Sequence, residues 1–209
     1  MLTRRLMICT ALVIFGFCSA TLIRAQNNPP SDAADEVNPA HYSQMLSSPD
    51  PVTRQTGAEA LAKLAAVDQK KMVEGYALQE KDKRVKLALN WCLYRLGKSE
   101  ALFQVVRDLD SNRHDQAAAY LAQLESPEPL YLFLRQDNTP MRVKGRVIEV
   151  LGQVGNSDTL AELKPFTNSF DPKVATAAQT SISQIEQRLS QPASSEKTRP
   201  RVAGRNPEP

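Results

Sequence analysis

Asp82-Lys-Arg-Val-Lys-Leu-Ala-Leu-Asn-Trp-Cys-Leu-Tyr-Arg-Leu-Gly97 reads as one capped helix with a single apolar face. Asp82 offers a side-chain acceptor to the first free backbone N–H groups, and Gly97 is the residue type that most readily turns a helix end. Val85, Leu89, Leu93 and Leu96 fall three or four positions apart, so they lie on one stripe.

The pattern returns along the chain. Leu61 and Leu64 match Leu93 and Leu96 from 32 positions earlier, and Leu121 and Leu124 match them 28 positions later. Leu151 and Val154 follow after a further 30 positions, and Ile182 and Ile185 after 31 more. The start signals recur too. Asp50-Pro51, Thr139-Pro140 and Asp171-Pro172 each predict a side-chain cap followed by proline at the first helical position, where its missing N–H costs nothing. In the third copy the cap is Asp110 or Ser111. Shorter apolar helices are predicted between the long ones, around 73–78, 101–109, 130–134 and 160–163. The last helix, over 173–189, has polar outer positions and reads as a terminal cap. One striped helix cannot bury its own stripe, so two helices per repeat, stacked in series, predict an all-α solenoid of about five helical repeats over residues 45–189.

The segments Asp50-Pro-Val-Thr-Arg54, Asp82-Lys-Arg-Val-Lys86, Met141-Arg-Val-Lys144 and Asp171-Pro-Lys-Val174, each followed by Ala/Leu ladders, resemble HEAT repeats. The nearest subtype is the short one also seen in phycobilisome-lyase-like proteins. The resemblance implies a right-handed α-solenoid. It leaves the activity open, since such arrays serve as scaffolds, adaptors, lyases and some DNA glycosylases. The third copy departs from the pattern, with Arg113-His114 where the others carry Val-Lys.

The chain ends read differently. Met1-Leu-Thr-Arg-Arg5 is basic and residues 6–23 are uncharged and apolar, which predicts a signal peptide over 1–25. Cleavage after Ala25 or after Ala20, and an uncleaved membrane anchor, all remain open. Residues 26–44 read as a flexible spacer, with a short helix around 41–46, and 190–209 as a disordered tail. The full chain has 26 Lys+Arg against 23 Asp+Glu. Arg4, Arg5 and Arg24 belong to the leader, so 26 less 3 leaves a mature balance of 23 against 23. The basic excess is therefore a leader effect and argues against nucleic acid as a partner. Cys9 and Cys18 also lie in the leader, leaving Cys92 alone, beside Trp91, as a buried thiol without a disulfide partner.

No catalytic constellation emerges. His41 and His114 stand 73 residues apart, outside any metal-ligand spacing. His114-Asp115 suggests a general base, but neighbours on a helix point in different directions. Trp91, Tyr94, Asp82 and Asp108 are the residues a glycosylase-like site would have to use, and an exported neutral chain is a poor setting for it. Of Tyr131 and Phe133, one is expected in the core and the other partly exposed. The expectation is a protein without enzymatic activity, cofactor or metal. It acts as a protein–protein interaction scaffold or adaptor in the bacterial cell envelope, periplasmic or secreted, or as an accessory or chaperone-like subunit of an envelope enzyme. Its partner is a protein or peptide, and no membrane insertion follows cleavage of the leader. The residues expected to meet that partner are two stacked columns: Arg54, Lys86, His114 and Lys144, and beside them Arg84, Arg142 and Lys173.

Overall fold

Aspartates start three of the long helices. Helix α2 (Pro51–Leu64) begins where Asp50 accepts from the N–H groups of Val52 and Thr53. Helix α4 (Lys83–Arg95) begins where Asp82 accepts from those of Arg84 and Val85. In α10 (Pro172–Ser190), Asp171 accepts from Lys173. The computed structural model describes residues 38–191, and among these it contains ten α-helices and no strand. The others are α1 (Pro39–Met45), α3 (Lys70–Gln79), α5 (Ala101–Arg107), α6 (His114–Leu121), α7 (Glu128–Arg135), α8 (Met141–Val154) and α9 (Ser157–Leu163). Short 3-10 turns at Val67–Gln69, Asp108–Asp110 and Lys164–Asn168 adjoin α3, α5 and α9. None of the described helices is long and apolar enough to cross a membrane. The predicted leader over 1–25, most of the spacer and nearly all of the tail lie outside the described residues.

Long helix packs on long helix: α2 lies along α4, and α8 along α10. The shorter helices cover what remains, with α3 and α5 against α4, α7 against α8, and α9 against α10. Their buried side chains form one continuous apolar cluster. Helix α4 sits deepest, with Val85, Leu87, Ala88, Leu89, Trp91, Cys92 and Leu93 all buried. Burial pushes the Cys92 thiol up to about 12, so it stays protonated and inert in the fold. At the other end, Ser181 of α10 donates to the Ile148 carbonyl of α8 at 2.9 Å. Gly152 permits that approach, because a Cβ there would stand 2.7 Å from the Ser181 hydroxyl oxygen.

Several expectations are corrected. Thr139 caps nothing. Pro140 is extended (φ −57°, ψ 142°) and α8 starts one residue later, at Met141, without a side-chain cap. In the third copy neither Asp110 nor Ser111 is the cap, because residues 108–110 wind on from α5 as a 3-10 turn and α6 starts at His114. Ser111 accepts from the Arg113 N–H instead. Helix α6 has only 8 residues, and α8 touches α5 and its 3-10 turn as well as α6. Tyr131 and Phe133 are both buried, on either side of an exposed Leu132. Helix α7 is enclosed widely enough to bury both: the Tyr131 hydroxyl meets Thr159 of α9 at 2.7 Å, and the Phe133 ring meets Phe103 of α5. The short helix expected around 41–46 is α1, which Asn38 caps and which packs on α2.

Helix ends carry one testable strain. Gly97, after α4, has φ +84°. Ala65 closes α2 at the equivalent place, 32 positions earlier, in the same left-handed region (φ 48°, ψ 45°). A side chain there costs roughly 1–2 kcal/mol, and glycine avoids that cost. Ala65→Gly is expected to stabilise the protein by about 1 kcal/mol in urea denaturation, despite glycine's greater freedom in the unfolded chain.

Candidate functional site

The residues of the two expected basic columns occupy unlike environments. Arg54 is spent on structure. Its Nε and one terminal nitrogen grip both Glu80 oxygens at 2.8 and 2.9 Å, and the other donates to the Ser48 and Pro49 carbonyls. Glu80 also accepts from the N–H groups of Lys81 and Asp82, so this pair fixes the turn from α3 into α4. Arg84 and Lys86 are exposed on α4. Lys144, aligned with Lys86 by the repeat, is buried on α8. His114 opens α6 half-buried, its Nδ1 3.1 Å from the Ser111 carbonyl and its Nε2 3.2 Å from Asp115. Arg142 pairs with Asp110. Arg142 and Lys173 do come together, lining a groove of about 780 Å³ between α8 and α10. Arg84 instead lines a separate hollow of about 500 Å³ with Lys83, Arg113 and Asp115.

Several ion pairs are long-range in a way that sequence spacing alone did not reveal. Arg54–Glu80, Arg95–Glu125 and Arg135–Glu162 join residues 26, 30 and 27 positions apart, close to the spacing of the sequence pattern. Arg142–Asp110 spans 32 and Lys98–Glu74 spans 24. The carboxylate partners lie in turns (Glu80, Asp110, Glu125) or on the short helices α3 and α9 (Glu74, Glu162).

A polar and aromatic cluster joins α2, α4 and α6. Trp91 of α4 stacks on Tyr94 at 5.6 Å and on Tyr120 of α6 at 5.8 Å, the latter with rings 4° from parallel. The Arg95 guanidinium lies 5.9 Å from the Trp91 ring centre. The Tyr120 hydroxyl donates to Glu59 of α2 at 2.5 Å, across 61 residues, and accepts from Gln116. Gln55 donates to the same Glu59 oxygen. Burial, followed by the Glu59 hydrogen bond, pushes the Tyr120 phenol above its ordinary value, so it remains a neutral donor. Glu59 is the residue the sequence reading missed. It sits on an ordinary helix face, and only the meeting of α2 with α6 singles it out. With its acceptor facing a tyrosine and a glutamine, the cluster behaves as a tie between helices. Among the described residues no group of His, Cys, Asp and Glu is arranged to hold a metal ion.

No protein-family model matches the chain, and no curated protein matches it.

Two outcomes follow from these ties. Glu80 is held below its ordinary carboxylate value of 4.5, first by the Arg54 hydrogen bond and then by the Asp82 N–H, against an opposing effect of burial. A depressed folded value stabilises fully above about 4.5, and that contribution is lost as pH falls through the folded value. Arg54→Ala is expected to cost about 2–3 kcal/mol at pH 7 and to flatten the fall in stability below pH ~4.5, measured by denaturation across pH. Tyr120→Phe removes the donor to Glu59 and is expected to cost about 1.5–3 kcal/mol. Trp91, the only tryptophan, reports that unfolding by fluorescence.

Proposed function

We propose that the helical body is a right-handed α-solenoid of about five HEAT-like repeats and that it works as a non-enzymatic interaction scaffold or adaptor in the bacterial cell envelope. The observation that carries this reading is the repeated ion-pair step. Arg54–Glu80, Arg95–Glu125 and Arg135–Glu162 each reach about one repeat length along the chain. The paired long helices α2/α4 and α8/α10 support it, since stacked units bury their stripes against one another. Glu80, held by Arg54 and two backbone N–H groups, and Glu59, held by Tyr120 and Gln55, tie helices together. A surface preformed by such packing binds without first having to order itself. The leader pattern over 1–25 supports export.

The test is recovery of the C-terminally tagged full-length chain from envelope extract of the cells that make it, with partners identified by mass spectrometry. Several partners, released by moderate salt, are expected of an adaptor. One dominant partner at equal stoichiometry would instead make the protein an accessory subunit of that partner's complex. Recovery of no specific protein would overturn both.

A further inference from the structure

The directional ties of the helical body fall into two separate sets. In the first half, α1–α6, Ser43 of α1 donates to Gln69, Arg54 of α2 grips Glu80 ahead of α4, and Lys98 pairs with Glu74 of α3. Gln116 of α6 donates to the Arg84 carbonyl of α4, and Tyr120 of α6 donates to Glu59 of α2. In the second half, α7–α10, Arg135 of α7 pairs with Glu162 of α9, and the Tyr131 hydroxyl meets Thr159. Ser181 of α10 donates to the Ile148 carbonyl of α8, and Arg188 to the carbonyls of Gly152 and Gly155.

The two sets are joined at one place. Among the described residues, the only hydrogen bonds between 38–121 and 128–191 are those from Arg142 to the carboxylate and the carbonyl of Asp110. That ion pair is open to water, its side chains 72 % and 36 % exposed, and a pair of this kind fixes little. The remaining contact between the halves is packing. Helix α8 rests on α5, the 3-10 turn after it and α6, and the Phe133 ring meets Phe103 edge-on at 5.0 Å. The chain itself crosses once, through residues 122–127, which lie outside any helix.

This difference has a mechanical meaning. A hydrogen bond weakens steeply when its angle changes, so a helix held by several has one seating. Apolar burial follows area and has no direction, so two surfaces held by it can tilt or slide while staying out of water. Within each half the helices are held in the first way, and across α6 and α8 the halves are held in the second.

We propose that the helical body bends at the seam between α6 and α8, with α1–α6 and α7–α10 moving as two units about residues 122–127. The bend changes the angle between the two sets of long helices. It follows from the internal ties, whether or not the protein is an adaptor.

The test is pulsed dipolar spectroscopy on the full-length chain carrying pairs of nitroxide labels, with Cys9→Ser and Cys18→Ser to clear the other reactive thiols. Cys92 is buried and takes no label. One pair, Thr56→Cys and Ala119→Cys, joins α2 to α6 within the first half. The other, Ala119→Cys and Thr180→Cys, joins α6 to α10 across the seam. All three positions are exposed, and each pair has one long helix between its members. The distance distribution across the seam is expected to be at least about twice as broad as the one within the half. Arg142→Ala should broaden it further and leave the Thr56–Ala119 distribution unchanged. Tyr120→Phe, which frees α6 from α2, should broaden the Thr56–Ala119 distribution. Equal widths in the chain that keeps Arg142 and Tyr120 would overturn the proposal, whatever the two variants do. So would Arg142→Ala broadening both distributions or neither.

Discussion

The apolar stripe of α4 cannot be covered by α4, and the placement of its neighbours follows from that. At 13 residues the helix is about as short as an isolated helix can be in water and still form, so its stability comes from packing. Each buried leucine or valine gains roughly 1.5–3 kcal/mol, against roughly 1–2 kcal/mol to fix each residue's backbone. Seven buried side chains on one short helix are enough only if other helices close over them, which α2, α3 and α5 do together. The same reasoning holds at α8 and α10, where Gly152 lets Ser181 reach a backbone carbonyl.

Ion pairs have a different part. Most are exposed, and such pairs contribute about 0–1 kcal/mol each. Their value is directional: a guanidinium fork accepts a carboxylate in few geometries, so a pair about one repeat apart selects one seating of a helix on the next. Arg54–Glu80 and Arg113–Asp108 are the exceptions, with side chains 18 % and 7 %, and 17 % and 21 %, exposed; the first also secures the chain turn before α4.

What the sequence made legible was local or periodic. Asp50, Asp82 and Asp171 cap their helices because a cap needs only the next three residues, and the stripes are visible because helical spacing is regular. Thr139 failed because proline's extended backbone held the chain outside the helix. The third copy failed because a 3-10 turn consumed the residues taken for its cap. The basic columns were read from equivalent positions, but burial depends on what lies opposite. Beside the short α6, α8 meets α5, and Lys144 is covered where Lys86 is open. Glu59 and Glu80 depend on distant partners and carry no local signature.

The bond from Tyr120 to Glu59 joins α6 to α2 past α4, whose Trp91 is stacked against the tyrosine. Repeat chains lengthen and shorten by duplicating or losing units, because each unit ordinarily answers only to its neighbours. A segment inserted between α2 and α6 that moved them apart would carry Glu59 away from Tyr120 and leave both polar groups without each other. A change of chain length between α2 and α6 therefore breaks this bond, whereas one beyond α6 leaves it in place.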